Sequence, residues 1–453
     1  MMKPNDILTL DIQSLGDDGD GIAKLGRYTV YVGNALPGER VVARVADVAK
    51  SYSHAALLRV LRRSKYRVQP HCQCVARCGG CQVQELDYDA QLAFKRKLVV
   101  DSLRSSGVML DEEIPMTILG RRIFNFRNKA IYPVAKNTDG EIVAGFYARR
   151  SHQIIPSAEC PVGADENVNI VDIIIRHLNR YNIQPYDETT HTGTVRYIMI
   201  RKAFATDSVM VSIVINDNML PYHNILIESL LSVVKNIKDI SLTVNCDATN
   251  RIRGNEVINL YGDGYITEAI GELKYRISPL AFFQVNTLQA KVLYDKVLEF
   301  ADLKGDEIVF DLYCGVGTIA LYLARHCRRV YGVEIILQAV LDARQNAVIN
   351  GINNAVFLEG KSEDVVSELV RNEGVKADVV VVDPPRKGCE KSLLDTIINM
   401  RTSRLIYVSC DPKSLARDLR ILQDNGMKTK HVQPVDMFPH TVHVESVAYL
   451  EIC

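Results

Sequence analysis

Two apolar runs of this sequence each end in side chains that can take part in catalysis. Residues 405–409 are followed by Cys410, and residues 379–382 are followed by Asp383 and, a little later, by Arg386. Short apolar runs of this kind are typical of buried strands, and parallel strands present their functional residues at their carboxyl ends. We therefore expect a thiol, carboxylates and a guanidinium around one crevice. Taken alone, Cys410 fits either a small buried hydrophobe or a nucleophile.

The chain from about residue 308 onward alternates between strand-like and helix-like patterns, which predicts a doubly wound α/β sheet. Its first strand ends in Asp311, the turn Gly315-Val316-Gly317 follows, and the next strand ends in Glu334. Glycines in such a turn let the backbone approach a nucleotide, and the acid accepts hydrogen bonds from the ribose hydroxyls. The pattern predicts a cofactor site of the Rossmann type.

Two cofactor classes fit this site. The spacing Gly315-x-Gly317-x-x-Ala320 also matches a dinucleotide fingerprint, so a nicotinamide-dependent oxidoreductase is one interpretation. Asp311 suits the positively charged amino-acid part of S-adenosylmethionine better than a pyrophosphate. The sequence Asp383-Pro384-Pro385 after a later strand is typical of methyltransferases that modify bases or amides. We therefore favour an S-adenosylmethionine-dependent methyltransferase.

The composition indicates a multidomain protein that binds RNA. With 453 residues, 47% of them hydrophobic, two to four domains with apolar cores are expected. The net charge is zero, yet basic clusters interleaved with aromatic residues lie in the first half, which favours a surface for RNA phosphates and unpaired bases. The start of the sequence has no secretory pattern and no apolar run has membrane-spanning length, so we expect a cytoplasmic protein without a membrane partner.

The first half of the chain divides into two parts. Residues from about 7 to 61 show short strands broken by glycine turns, which predicts a small OB-like β-barrel. A helix near 90–108 and alternating strands up to about 270 carry aromatic and basic side chains, which indicates a central α+β RNA-binding region. The predicted domains are 1–63, 64–270 and 271–453.

Four cysteines lie within ten residues: Cys72, Cys74, Cys78 and Cys81. In a reducing compartment such a cluster indicates a metal site rather than disulfides. Two glycines between Cys78 and Cys81 let the backbone turn so that both thiols face one centre. Zinc and an iron–sulfur cluster fit a set of four thiolates equally well by residue type.

Five motifs, in order along the chain, resemble the RNA uracil-C5 methyltransferases. They are Phe283-Gln284-Val285-Asn286, Asp311-Leu312-Tyr313-Cys314-Gly315-Val316-Gly317, Asp383-Pro384-Pro385-Arg386-Lys387-Gly388, Val408-Ser409-Cys410-Asp411-Pro412 and Phe438-Pro439-His440-Thr441-Val442-His443-Val444-Glu445. The stretch GDGIAKLGRYTVYVGNALPGERVVARV resembles a TRAM domain, an OB-like barrel of RNA-modifying enzymes. The likeness covers essentially the whole chain.

The likeness is to the members that carry a TRAM domain and an iron–sulfur cluster and act on 23S ribosomal RNA. Members specific for transfer RNA are expected to match only the later part of the chain, so the resemblance implies a loop uridine of 23S ribosomal RNA as the substrate. It also implies a C-terminal Rossmann-like class I methyltransferase domain. We expect a monomer.

The resemblance implies a role for each site residue. Cys410 would add to carbon 6 of uracil, which activates carbon 5 towards a methyl group, and Glu445 would then remove the proton from carbon 5. S-adenosylmethionine would be bound by Gln284, Tyr313, Glu334 and Asp383. A [4Fe-4S] cluster would be held by Cys72, Cys78, Cys81 and Cys160. A catalytically inactive RNA-binding scaffold is the remaining alternative, although such a protein would lack Cys410 or Glu445.

Overall fold

The computed structural model describes residues 2–157, 159–249, 251–252, 254 and 256–452. The first unit of the chain is a six-stranded sheet. Its strands are β1 Ile7–Asp11, β2 Ser14–Leu15, β3 Gly21–Leu25, β4 Tyr28–Gly33, β5 Arg40–Val48 and β6 Tyr52–Arg62. They lie in the order β1-β5-β6-β4-β3-β2, and only β4 and β6 are parallel.

One chain segment joins the two edges of this sheet. Only Ile12 and Gln13 separate the edge strands β1 and β2, and their amides donate to the carbonyls of Glu39 and Ile22 at 2.9 and 2.8 Å. A sheet that closes on itself brings its two edge strands together and so leaves no exposed edge. A short connection between the edge strands is consistent with such closure. The OB-like barrel itself stays a prediction.

Helix α1, Tyr88–Ser105, follows the cysteine-rich segment and matches the helix predicted near 90–108. Asp87 caps it by accepting hydrogen bonds from the amides of Asp89 and Ala90. Its apolar residues Val99 and Leu103 lie in one hydrophobic core with residues of the C-terminal sheet. The helix therefore packs against a part of the protein far away in sequence.

A seven-stranded sheet occupies the middle of the chain. Its strands are β7 Lys129–Lys136, β8 Ile142–Tyr147, β9 Ile154–Pro156, β10 Val195–Ala203, β11 Ser208–Ile215, β12 Ile237–Val244 and β13 Glu256–Gly262, in the order β13-β12-β11-β10-β7-β8-β9. Helices α2 Glu166–Arg180 and α3 His223–Val233 share a hydrophobic core with this sheet. Every residue of the neighbouring strands β10 and β11 is buried, so both faces of the sheet are covered there.

The C-terminal part is an α/β sheet preceded by the hairpin β14 Ile266–Ile270 and β15 Leu273–Ile277. Its strands are β16 Ile308–Leu312, β17 Arg329–Glu334, β18 Ala355–Glu359, β19 Val379–Val382, β20 Arg404–Ser409, β21 Met427–Val435 and β22 Glu445–Ile452. Its helices are α4 Thr287–Ala301, α5 Thr318–Ala324, α6 Leu337–Ile349, α7 Ser362–Glu373, α8 Lys391–Met400 and α9 Pro412–Asp424.

The strand order of this sheet is β18-β17-β16-β19-β20-β22-β21. The first five are parallel, whereas β22 is antiparallel to both β20 and β21. Separate hydrophobic cores cover the two faces, which confirms the predicted doubly wound arrangement. The order reverses between β16 and β19, and ligands of such sheets bind at this point, beside the carboxyl ends of the strands. Among the described residues, no helix has the length and apolar character needed to cross a membrane.

Candidate active site

Cys410 lies at the carboxyl end of β20, in the turn that leads into α9. Asp411 caps this helix, because its Oδ1 accepts hydrogen bonds from the amides of Lys413 and Ser414 at 3.0 and 2.8 Å. Pro412 occupies the first turn of the helix, where its missing N–H costs no hydrogen bond. The backbone around Cys410 is therefore held firmly, and its thiol is half-buried.

Glu445 faces Cys410 across an antiparallel strand pair. Ser409 at the end of β20 is paired with Ser446 of β22, so the next residues in each direction, Cys410 and Glu445, lie opposite each other. Glu445 is only 4% exposed. On the other side, β19 is the parallel neighbour of β20 and ends in Asp383. The crevice thus brings together the thiol and the two carboxylates that the sequence analysis singled out.

Burial and mutual repulsion perturb the ionisation of this crevice. Burial, and then the charges of Glu445 and Asp383, raise the pKa of the Cys410 thiol to about 12, with Arg386 opposing them. Burial, with the charge of Asp383, raises the pKa of Glu445 to about 8, and burial raises the pKa of Asp383 to about 7. A cation in the crevice would lower all three pKa values, so the thiolate forms most readily when a positively charged ligand is present.

The turn after β16 adopts backbone conformations that glycine favours. Gly315 and Gly317 have φ of 55° and 80°, and Tyr313 has φ of 72° although it is not glycine. A Cβ atom at Gly317 would lie 2.9 Å from the ring of Phe357, so a side chain at this position would clash. The amides of Tyr313 and Cys314 both donate to the carbonyl of Val333 at 3.0 Å. The end of β17 thereby fixes a strained turn, as is common at ligand sites.

Two acidic residues next to this turn, Asp311 of β16 and Glu334 of β17, have carboxylate oxygens suited to bind a ligand. Glu334 receives the amide of Gly315 on Oε2 at 3.1 Å and that of Ile336 on Oε1 at 3.0 Å, which holds its carboxylate at the mouth of the turn. Asp311 is fully buried, and neither of its carboxylate oxygens has a side-chain hydrogen-bond partner among the described residues, although the backbone at Ala320 lies near enough to lower the pKa of this carboxyl. Burial, with the charge of Asp383, raises the pKa of Asp311 to about 8. An unpartnered buried carboxylate is costly unless a donor or cation completes it.

Tyr294 of α4 lies among these acids, and the sequence analysis missed it. The side chain is fully buried, and its hydroxyl donates to Thr318 Oγ1 at 3.0 Å. Burial, with the charges of Asp383, Asp311 and Glu445, raises its pKa well above the ordinary value. Because one side chain is close to all three carboxylates, the glycine turn and the Cys410 crevice form one continuous site.

Asn128, a second residue that the sequence analysis did not single out, positions the loop that carries Gln284. Its Nδ2 donates to the Gln284 carbonyl at 2.9 Å and to Thr287 Oγ1 at 3.0 Å, and its amide donates to the Val285 carbonyl at 2.7 Å. Asn286 Nδ2 donates to the Met437 carbonyl at 3.0 Å, just before β22. This loop therefore connects the central sheet with the segment that leads to Glu445.

Comparisons with known proteins give the family. Residues 201–452 match the family model described as tRNA (uracil-5-)-methyltransferase, and residues 3–58 match the TRAM domain. The chain belongs to the RNA uracil-5-methyltransferase family. Its relatives include RNA methyltransferases of Halalkalibacterium halodurans, 44% identical over 100% of this chain and 98% of the relative, and of Clostridium tetani, 43% identical over 98% and 96%.

A solved structure of a uracil-5-methyltransferase has the same fold along nearly the whole chain. It is the tRNA (uracil-54, C5)-methyltransferase of Pyrococcus abyssi in complex with S-adenosyl-L-homocysteine, 29% identical, with a TM-score of 0.79 over 98% of this chain and 99% of that one. This protein is therefore an RNA methyltransferase of the S-adenosylmethionine-dependent type, and the oxidoreductase interpretation is wrong. The expectation that enzymes specific for transfer RNA match only the later part of the chain is also wrong.

In this RNA uracil-5-methyltransferase, a buried ion pair holds the segment 436–444 that precedes Glu445. Lys95 Nζ of α1 contacts Asp436 Oδ1 at 2.5 Å, and both side chains are 0% exposed. The same Nζ donates to the Phe438 carbonyl at 2.9 Å, and the hydroxyl of Tyr88 donates to Asp436 Oδ2 at 2.7 Å. Both oxygens of Asp436 and two of the three donors of Lys95 are thus engaged by α1 or by the segment itself.

A column of aromatic rings supports the same segment from the side of the cysteines. His440, with φ of 69°, stacks on Phe124 at 4.6 Å between ring centroids, and Phe124 stacks on His71 at 4.5 Å. Gln91 of α1 accepts the His440 amide at 2.9 Å. Burial lowers the pKa of His440 to about 4, so this ring is neutral at physiological pH. His71 directly precedes Cys72, and the column therefore links the cysteine segment to the segment before Glu445.

The four cysteines predicted as cluster ligands lie close together. Burial, and then the charges of Cys160, Cys78 and Cys72, raise the pKa of the Cys81 thiol to about 12. Among the described residues, no group of three or more His, Cys, Asp or Glu side chains has the arrangement of a metal-ion site. A four-iron cluster binds each of four thiolates through a different iron, so its ligand sulfurs are further apart than those around a single ion.

Backbone groups lie beside the sulfur atoms of this group. The Gly80 amide donates to Cys78 Sγ at 3.4 Å, and the Gly163 amide donates to the Cys160 carbonyl at 2.9 Å, while the backbone at Val162 and Gly163 partly offsets the effect of burial on the pKa of the Cys160 thiol. Such donors stabilise a negatively charged thiolate and tune the sulfurs of iron–sulfur clusters. A set of four cysteines with backbone amides beside them is of the chemical type that a thiolate-bound cluster uses.

Proposed function

We propose that this protein methylates carbon 5 of a uridine in a structured RNA through a transient bond between Cys410 and carbon 6 of the uracil. The observation that supports this most directly is the placement of Glu445 opposite Cys410 in the strand pair β20–β22. A thiol that adds to one ring carbon and a carboxylate that removes a proton from the next carbon must both reach the same base.

Each step can be assigned to groups of this chain. The Cys410 thiolate forms a bond to carbon 6, and the electron pair of the 5,6 double bond makes carbon 5 nucleophilic. When bound, S-adenosylmethionine would supply a methyl group to carbon 5, as the bond between the methyl group and the sulfonium sulfur breaks and S-adenosylhomocysteine leaves with the electron pair. Glu445 then takes the proton from carbon 5, the double bond re-forms, and the bond between carbon 6 and sulfur breaks. Arg386 favours the two anionic groups, since its charge opposes the upward shift in the pKa of both Cys410 and Glu445.

The cofactor would be bound by Glu334, by Asp311 and by the glycine turn after β16. Glu334 would accept the ribose hydroxyls, and Tyr313 in its strained turn would lie along the cofactor. Asp311, whose buried carboxylate has no side-chain partner, suits the cationic amino group. Gln284 and Asp383 would contact the reacting end. The transferred methyl group would then be close to Cys410.

Two RNA substrates are candidates. A loop uridine of 23S ribosomal RNA is proposed first, on the resemblance of the sequence motifs and of the TRAM stretch to members that act on this RNA. Transfer RNA is second, because the Pyrococcus abyssi tRNA (uracil-54, C5)-methyltransferase aligns with 98% of this chain. In either RNA the uracil must leave its stack to reach a half-buried thiol, which costs least in a loop.

A covalent trap tests the mechanism and the substrate together. Protein, S-adenosylmethionine and RNA containing 5-fluorouridine are mixed and analysed on a denaturing gel, with 23S ribosomal RNA and transfer RNA in parallel. Fluorine cannot leave as a proton does, so a covalent complex should accumulate on the true substrate. We expect the complex to be absent in Cys410→Ala and retained in Cys389→Ala, the buried neighbouring cysteine. A complex on neither RNA, with RNA and cofactor both bound, would contradict the proposal.

We also propose that Cys72, Cys78, Cys81 and Cys160 hold a [4Fe-4S] cluster with a structural role. Methyl transfer and proton removal involve no electron transfer, so a redox role is not needed. The cysteines connect the segment after β6 with the segment before α2, which favours a structural role. Anaerobically purified protein should contain about four iron and four sulfide per chain. Cys81→Ser should lose most of both and Cys74→Ser should keep them, because Cys74 is outside the proposed ligand set. Equal iron content in the two variants would refute this assignment.

A further inference from the structure

A cavity of about 910 Å³ lies on the central sheet, away from the Cys410 crevice. Its aromatic lining consists of Tyr147, Tyr181, Tyr186, Tyr197, Tyr222 and His152. A volume of this size accommodates a small organic ligand or a nucleotide. We call this space the tyrosine cavity.

The tyrosine cavity and the active site lie at opposite ends of the same strands. Asn128, just before β7, bonds to the Gln284 loop, whereas the last residues of β7, 133–136, line the cavity. Five to eight residue steps separate Asn128 from residues 133–136, a length of strand that spans roughly 17 to 26 Å. A single RNA chain that crosses the central sheet can therefore reach both places, while one bound base cannot.

Tyr222 is the most unusual residue of the tyrosine cavity. Its ring is stacked on that of Tyr181 at 4.3 Å between centroids, with the guanidinium of Arg180 on Tyr181 at 5.5 Å. The backbone of Tyr222 has φ of 56°, an outlier for a bulky residue, and the side chain is 56% exposed. A strained and exposed aromatic residue gains little from burial, so its placement favours a role in stacking a ligand.

The charges around the tyrosine cavity favour a base over a phosphate. Arg196 is only 3% exposed, and its NH1 and NH2 groups already donate to the carbonyls of Asn245, Asp247 and Thr249. Its guanidinium also lies 4.2 Å from the ring centroid of Tyr186. The NH1 and NH2 groups of this cation are thus used within the protein, whereas its buried Nε–H has no hydrogen-bond partner among the described residues and is a donor for an acceptor atom of a base.

Acidic and amide groups complete the lining. Asp187, Glu188 and Lys136 are exposed at the cavity. Asp187 Oδ1 accepts the amides of Thr189 and Thr190, and Glu188 Oε2 lies 3.3 Å from His152 Nδ1, so Asp187 Oδ2 and Glu188 Oε1 are the carboxylate oxygens left for a ligand. Carboxylates repel phosphates but accept hydrogen bonds from the amino groups of adenine, cytosine and guanine. The side chains of Asn182 and Gln184 also line the space and can pair with the edge of a base.

We propose that the tyrosine cavity binds an unpaired base with an exocyclic amino group, in the same RNA whose uridine enters the Cys410 crevice. This inference rests on the proposed function for the identity of the RNA. The stacking pair Tyr181–Tyr222 holds the plane of the base, and the acidic side of the cavity selects the amino group. A second anchored base would fix the register of the RNA relative to the active site.

Short RNA chains test this without the methylation reaction. Labelled hexaadenylate and hexauridylate are titrated into the protein at low salt, with binding followed by fluorescence anisotropy. We expect hexaadenylate to bind more tightly than hexauridylate, and Tyr222→Ala to weaken hexaadenylate binding about tenfold. Tyr222→Phe, which keeps the ring, should restore most of the affinity. Tyr261→Ala, at an exposed tyrosine of β13 outside the cavity, should leave it unchanged.

The outcomes separate this proposal from the proposed function. Unchanged hexaadenylate affinity in Tyr222→Ala, or equal losses for the two RNA chains, would overturn the assignment of the tyrosine cavity. Cys410→Ala should bind hexaadenylate as the wild type does, because the crevice is a different site. Failure of the 5-fluorouridine trap together with a Tyr222 effect would refute only the methylation mechanism.

Discussion

The Glu445→Gln variant should form the covalent RNA adduct with ordinary uridine and release it at least about a hundredfold more slowly than the wild type. A positioned general base contributes roughly 10² to 10⁴ to a rate, and an amide cannot accept the proton from carbon 5. Glu445 is buried opposite Cys410 in the β20–β22 pair, so water reaches the position poorly. A cofactor with a labelled methyl group allows the adduct to be measured on a denaturing gel.

Glu451→Gln is the matched control for this experiment. Glu451 belongs to the same strand β22, but it lies near the far end and pairs with Lys430 at 3.1 Å in a partly exposed position. Such ion pairs contribute about 0–1 kcal/mol, so both turnover and adduct level should be those of the wild type. A Glu445→Gln protein that turns over normally would show that another group removes the proton.

The same step should depend on pH in a defined direction. The pKa of Glu445 is raised to about 8 by burial and by Asp383, so its protonated, inactive form dominates below that value. Single-turnover release of the adduct should therefore be faster at pH 9 than at pH 7, by up to about tenfold for a group with this pKa. Glu445→Gln should lose this dependence. An identical pH profile in both proteins would contradict the role of Glu445.

The Lys95→Met variant should be destabilised by about 3–5 kcal/mol. It removes the cation of a fully buried pair and leaves the Asp436 carboxylate with Tyr88 as its remaining side-chain donor. The double variant Lys95→Met/Asp436→Leu should recover much of this loss, since apolar replacements of a whole buried pair are often neutral. The chain has no Trp, so urea unfolding is best followed by circular dichroism or tyrosine fluorescence.

Lys97→Met separates the effect of the ion pair from that of the helix. Lys97 lies on α1 as well, but it is exposed and pairs with Asp101 one turn away, an interaction of about 0.3–0.5 kcal/mol. If Lys97→Met and Lys95→Met are equally destabilised, the buried pair is not the cause. Folded Lys95→Met protein should also lose turnover while it keeps its cofactor affinity, because the pair positions the segment before Glu445 and not the glycine turn.

Part of the site could be predicted from the sequence because parallel strands present functional residues at their carboxyl ends. The apolar runs before Asp383 and Cys410 become neighbouring parallel strands, and the acid after the second strand, Glu334, lies at the glycine turn. Glu445 could not be found this way, because it begins a strand whose partner and register depend on antiparallel pairing at the end of the sheet. Only the motif resemblance indicated it.

Long-range contacts account for most of what the sequence did not reveal. Periodicity predicted α1 and its apolar face, but it carries no information on which part of the chain that face packs against. The buried pair Lys95–Asp436 and the bonds from Asn128 to the Gln284 loop join residues 341 and 156 positions apart. Tyr222 could not be predicted either, because its left-handed backbone conformation has no local sequence signal. The domain bounds 1–63, 64–270 and 271–453 stay a prediction.

The packing of α1 on the C-terminal sheet has a consequence for biosynthesis. Lys95 is synthesised 341 residues before Asp436. At ordinary rates of translation this is a delay of roughly 20 to 70 s. Throughout that time the face of α1 with Val99 and Leu103 lacks its partner core and is exposed to aggregation or to a chaperone. A fragment that begins at residue 271 would conversely place Asp436 in the interior without its cation. The methyltransferase sheet of this protein is therefore covered by a helix that is synthesised before any strand of that sheet.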